Sequence, residues 1–168
     1  MRRKLPGILL FVALIALAAF ASVGQVAAAV NVTVSFVHPE HFIDAQHAKG
    51  ESDQPLLGIA QHLQWLGERY LPAGQTLRIE VLDVDLAGSE RFLTRAGREV
   101  RIDNGRADWP QIKLRYVLQA NGSTLQQGEE VVSDMNYLNH INSYSDGDPL
   151  RYEKLMLEEW FRGRFAKR

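Results

Sequence analysis

The chain is 168 residues long and has no cysteine, and its 19 basic and 20 acidic side chains leave it close to neutral. With 46% hydrophobic and 23% charged residues, it is not a disordered chain, a collagen-like repeat, a coiled coil, a disulfide scaffold or a strongly basic nucleic-acid binder. Thiol and thiolate–metal chemistry are excluded with the cysteines.

Arg2-Arg3-Lys4 precedes an uncharged apolar run from Leu5 to Ala21, and Ala27-Ala28-Ala29 supplies the small residues that a signal peptidase reads. Residues 1–29 are therefore expected to be a cleaved secretory signal peptide, and residues 30–168 a single domain. The alternative is an uncleaved membrane anchor, against which stands the length of the run, at the short end of the roughly 20 residues that a membrane span needs; no span is expected after cleavage. No cysteine follows it to carry a lipid anchor. Without Arg2, Arg3 and Lys4, 16 bases face 20 acids, a formal charge of −4 that offers nucleic acid no general attraction. The expected compartment is the bacterial periplasm. An exported chain is free to form disulfides, and this one relies instead on an apolar core.

Val30, Val32, Val34 and Phe36 alternate with polar residues, the period of a half-buried strand. His38 to Asp53 has no period and reads as a surface loop. Pro55 suits a first helical turn, and Leu56, Ile59, Ala60, Leu63, Leu66 and Tyr70 then share one helical face up to Pro72-Ala73-Gly74. In the next segment Leu77, Ile79 and Val81 share a strand face, but the apolar phase shifts to Leu82, Val84 and Leu86. Such a shift means either a bulge or a strand covered on both faces. A short strand is expected at Val100 to Ile102. Ile112 to Ala120 alternates cleanly and is followed by Asn121-Gly122, which favours a two-residue type I′ turn, so a hairpin to a strand from Thr124 to Val132 is predicted, with a bulge at Gly128. Asp148 is a suitable N-cap and Pro149 a suitable first residue for a last helix, whose Leu150, Leu157, Phe161, Met156, Trp160 and Phe165 form an apolar stripe. The element order predicts an α+β domain: one layer of mainly antiparallel sheet, about four to five strands, with two helices on one face. The first strand and the Leu77 strand are expected to be parallel neighbours through the intervening helix.

Three groups of residues offer chemistry. Asp83 and Asp85 are two apart on a strand, a spacing that suits a hard cation or a divided acid and base role. An EF-hand is excluded by Ala87 and Thr94, which stand where ligands are needed; the structural alternative is Asp85 closing a turn to Gly88. His38, Glu40 and His41, with His47 further on, form a weak zinc or copper candidate that matches no named spacing. The aromatics Trp109, Tyr116, Tyr137, Tyr144, Tyr152 and Trp160 would stack a sugar or peptide if several converged, with Tyr116 and Trp160 better placed in a core. The chain has no G-x-S-x-G, H-E-x-x-H, G-x-G-x-x-G or phosphate loop.

Leu82-Asp83-Val84-Asp85-Leu86-Ala87-Gly88, Leu114-Arg115-Tyr116, Gly128-Glu129-Glu130 with Ser133-Asp134-Met135-Asn136-Tyr137, and Asp148-Pro149-Leu150-Arg151-Tyr152-Glu153-Lys154 through Trp160-Phe161 together resemble the domain of unknown function 3016 family. The resemblance runs from about Val30 to Phe165. It implies a single-domain exported protein of the proteobacterial envelope, with no established activity and no catalytic residue to carry over. The reading is of a non-catalytic domain that binds an envelope protein or small ligand, with Asp83, Asp85, Trp109, Tyr137 and Tyr152 as candidate ligand-binding residues, no cofactor, and no metal site beyond the weak pair His38 and His41. The alternatives are a hydrolase or metal-dependent enzyme using Asp83 and Asp85, or a subunit of an envelope complex.

Overall fold

A computed structural model describes residues 31–42, 53–93, 98–102 and 108–166. The expected leader, the stretch 43–52 of the His38–Asp53 loop, and His47 lie outside the described residues. In chain order the elements are β1 (Val32–Phe36), α1 (Asp53–Tyr70), β2 (Gln75–Asp85), β3 (Ser89–Leu93), β4 (Arg98–Ile102), β5 (Gln111–Ala120), β6 (Ser123–Ser133) and α2 (Arg151–Phe165), with single 3-10 turns at Pro39–His41 and Tyr137–Asn139.

The main sheet has the order β1-β2-β5-β6. β1 and β2 are parallel, with α1 as their crossover, and the remaining pairs are antiparallel. The fold is α+β, as the element order predicts. The expected strand at Val100 to Ile102 is present within β4, but it does not join this sheet. It pairs with β3, a strand the sequence pattern does not reveal, in a separate two-stranded sheet. Ser-Glu-Arg-Phe-Leu lacks the alternation by which a strand is recognised.

The phase change in β2 is a bulge. Pairing with β5 slips between Val81 and Asp83, so Leu77, Ile79 and Val81 before the slip and Val84 after it all bury on the inner face. Asp83 and Asp85 are thereby turned to the outer face, opposite Lys113 and Gln111. The Asn121-Gly122 turn forms as expected, both residues at positive φ. The β6 bulge, however, is at Leu125, where Leu118 faces Gln126 and Gln119 faces Thr124. Gly128 instead faces Tyr116 across the ladder, and an added Cβ there would stand 3.1 Å from the phenol ring. This glycine makes room for an aromatic side chain.

Ile59, Leu63 and Leu66 from α1 and Met156, Leu157, Phe161 and Phe165 from α2 close over the inner sheet face. Fully burying side chains of this size contributes about 1.5–3 kcal/mol each. α1 comes so close to β1 that a Cβ on Gly67 would lie 2.0 Å from the Val32 side chain, and Asn31 donates its amide to the Gly67 carbonyl at 2.9 Å. α2 starts two residues later than Asp148 and Pro149 suggest, at Arg151. Asp148 still does a capping residue's work, since its carboxylate accepts the Leu150 N–H at 3.0 Å and pairs with Lys154.

The outer sheet face is polar. Glu80, Arg115, Glu129 and Lys113 form a ladder of ion pairs across three strands at 2.9–3.1 Å. β6 is an edge strand with Glu130 on its inner side, opposite Leu114. Glu130 accepts the Trp160 indole N–H at 3.0 Å and pairs with Arg164 at 2.8 Å.

Candidate functional site

The sequence-derived candidates fall into separate places. Asp83 is half-buried at the end of β2 and accepts its neighbour's N–H, that of Val84, at 3.0 Å. Tyr137 is buried, stacks edge-on against Tyr152 at 4.8 Å between centroids, and donates its hydroxyl to Asp108 at 3.2 Å. Trp109, half-buried, precedes β5. Tyr137 and Tyr152 thus do converge, beside Asp108. The same end of the molecule holds Glu153, 1% exposed, which accepts the Ala87 N–H at 2.7 Å. Asp83, Asp85, Asp108, Tyr137, Tyr152 and Glu153 all have further partners. This region joins the base of the β3–β4 excursion to α2, and Gly88 donates its N–H to the Asp108 carbonyl at 2.8 Å.

His38 and His41 are exposed and stack on each other at 5.8 Å, with Glu40 3.3 Å from His38 Nδ1. Among the described residues, no three His, Asp or Glu side chains meet in an arrangement that could hold a metal ion.

A second cluster, of which the sequence-derived aromatics include only Tyr144, lies across α1, α2 and the loop before α2. Glu158 accepts two phenol hydroxyls, from Tyr70 and Tyr144, each at 2.6 Å. Burial pushes the Glu158 carboxyl upward, but the hydrogen bonds from Tyr144 and Tyr70 outweigh it and hold the group below the usual carboxylate range. The phenols respond oppositely. Tyr144 is raised by burial and by its bond to Glu158, and Tyr70 chiefly by its bond to Glu158. Both stay protonated donors at neutral pH.

His62, which feels the charge of this carboxylate, is 6% exposed, with Nε2 3.0 Å from the Lys154 carbonyl. A carbonyl only accepts, so Nε2 carries the proton. Burial depresses the His62 pKa, and the ring is neutral at pH 7. It stacks flat on Trp65 at 5.6 Å and meets Tyr144 edge-on at 5.5 Å. Trp65 is 41% exposed.

Two arginines complete the cluster. The Arg69 guanidinium lies over the Trp65 ring at 5.2 Å and the Tyr70 ring at 5.5 Å, and Arg162 lies over the Tyr70 ring at 5.9 Å. Both arginines are exposed, and among the described residues neither has a carboxylate within ion-pairing distance. Glu158, which interacts electrostatically with Arg162, has one phenol hydroxyl on each of its oxygens. Helical spacing brings His62, Trp65 and Arg69 together on α1. That spacing, a Trp followed four residues later by an Arg, is a signal in the sequence by which this surface could be found. The partners from α2 and its preceding loop are far away in sequence.

The domain these features define is a two-layer α+β unit with a charged outer sheet face and an aromatic–arginine surface on its helical side. A family model for a protein of unknown function, DUF3016, matches residues 30–163, and the chain belongs to that family. No curated protein and no solved structure matches the chain. Among the described residues, no helix is long and apolar enough to cross a membrane.

Proposed function

We propose that this is an exported bacterial protein which loses residues 1–29 and acts in the periplasm as a binding domain without chemistry of its own. Arg2-Arg3-Lys4, the apolar run and the three alanines support export. The observation that carries the binding reading is the exposed Trp65 surface with Arg69 and Arg162. These groups could engage a ligand without first breaking an ion pair. Three acids at least partly buried are committed to the fold instead: Glu158 to two phenols, Glu130 to Trp160 and Arg164, Glu153 to a backbone N–H. A general acid or base needs a free site and a pKa near the working pH, and Glu158 is moved the other way.

Two measurements test the two halves of this reading. Cell fractionation with amino-terminal sequencing of the recovered protein is expected to give periplasmic protein beginning near Val30; an unprocessed cytosolic chain would sink export. Purified protein is expected to be retained on washed envelope fragments, and Trp65→Ala to reduce that retention severalfold. Equal retention of both proteins, or none, would remove the binding surface.

A further inference from the structure

We infer that the Trp65–Arg69–Tyr70–Arg162 surface is a site for an acidic saccharide, one bearing carboxylate or phosphate groups on its sugar ring. The inference rests on the binding reading above and assigns that site its ligand class. Two guanidinium groups lie over one tyrosine ring, at 5.5 and 5.9 Å, so two cations are gathered on one patch. The planar guanidinium fork matches a carboxylate or phosphate and can form paired hydrogen bonds to it. Arg69 also rests on Trp65 at 5.2 Å. An anion drawn to Arg69 therefore brings its carrier against a partly exposed indole, and indole and phenol rings suit the apolar C–H face of a sugar.

Other anionic partners fit less well. Stable docking to an anionic membrane takes a cluster of about four to eight basic residues, where this site offers two. Nucleic acid is opposed by the formal charge of −4 on residues 30–168. Glu158, whose charge is felt by Arg162, accepts the hydroxyls of Tyr70 and Tyr144 at 2.6 Å and, among the described residues, forms no ion pair with either arginine.

The test is calorimetric titration of the purified protein with oligogalacturonate, with an oligosaccharide bearing mannose 6-phosphate, and with neutral maltohexaose. Trp65 emission, isolated by comparison with Trp65→Phe, locates the binding. At least one acidic sugar is expected to bind and change Trp65 emission, while maltohexaose does neither. Arg69→Gln and Arg162→Gln, at exposed positions, are each expected to weaken binding roughly tenfold with an unchanged melting temperature. Failure of both acidic sugars, equal binding of the neutral one, binding unaltered in both arginine variants, or tighter capture by phosphatidylglycerol vesicles would overturn the inference. Trp65-dependent retention on envelope fragments alongside any of these failures would reject the saccharide and leave the binding reading standing.

Discussion

Glu153 and Glu158 stand on the same helix and are used in opposite ways. Glu153 is 1% exposed and accepts a backbone N–H from Ala87, so it ties α2 to the chain leaving β2. Glu158 is half-buried and accepts the side-chain hydroxyls of Tyr70 and Tyr144, so it holds two aromatic rings on the surface of the helical layer. The first is a bond in the fold, whereas the second shapes a surface. A carboxyl group takes on one role or the other according to the donor it faces, and helix position alone does not reveal which.

The sharpest way to break this comparison is to remove each acid. Glu153→Ala should cost about 3 kcal/mol in denaturant unfolding, because it leaves a buried N–H without its acceptor and opens a cavity. A loss below about 1 kcal/mol would show that Glu153 does not tie the two elements together. Acid titration of His62 comes next. Its folded-state pKa is depressed by burial, so the unfolded chain takes up this proton first. The stabilising contribution is full above the ordinary histidine range near pH 6.5 and is lost as pH falls through the lower folded-state pKa. Wild-type protein should therefore lose more stability between pH 7 and 5 than His62→Gln, which keeps a donor for the Lys154 carbonyl. Parallel pH profiles would contradict this.

Glu158→Gln should cost only about 1 kcal/mol, yet loosen Tyr70 and Tyr144 and alter Trp65 emission through the shared ring contacts. An unchanged emission would dissolve the distinction between the two acids. The smallest effect belongs to the outer sheet face. Glu80→Gln removes one exposed ion pair of Arg115 and should change stability by no more than about 0.5 kcal/mol, since Glu129 still pairs with that guanidinium at 2.9 Å.

The sheet was largely legible because its signals are local. Period-two alternation marks β1 and β5, the Asn121-Gly122 pair sets the hairpin, and the phase shift after Val81 signals either a bulge or a strand covered on both faces, which the register slip in β2 decides for the bulge. Gly128 misled because a glycine in a strand signals either a bulge or a close approach, and only the ring of Tyr116 across the ladder decides between them. β3 was hidden by its irregular pattern. The helical-side cluster was illegible for a different reason. Tyr144, Glu158 and Arg162 meet Trp65 and Arg69 only after α1 and α2 pack together, and no periodicity encodes which residues of two separated helices become neighbours. Tyr137 and Tyr152 were singled out as amphipathic residues beside strong elements, and their mutual stacking at 4.8 Å depends on tertiary packing in the same way.

The β6 margin carries a consequence for how copies of this protein can meet. The irregularity at Leu125 interrupts the ladder, and Glu130 places a charge on the core-facing side of the outermost strand, tethered by Trp160 and Arg164. Both features are obstacles to a foreign strand seeking to zip onto this rim and prolong the sheet from molecule to molecule. Crowded copies are thus steered away from fibre-like growth along this border.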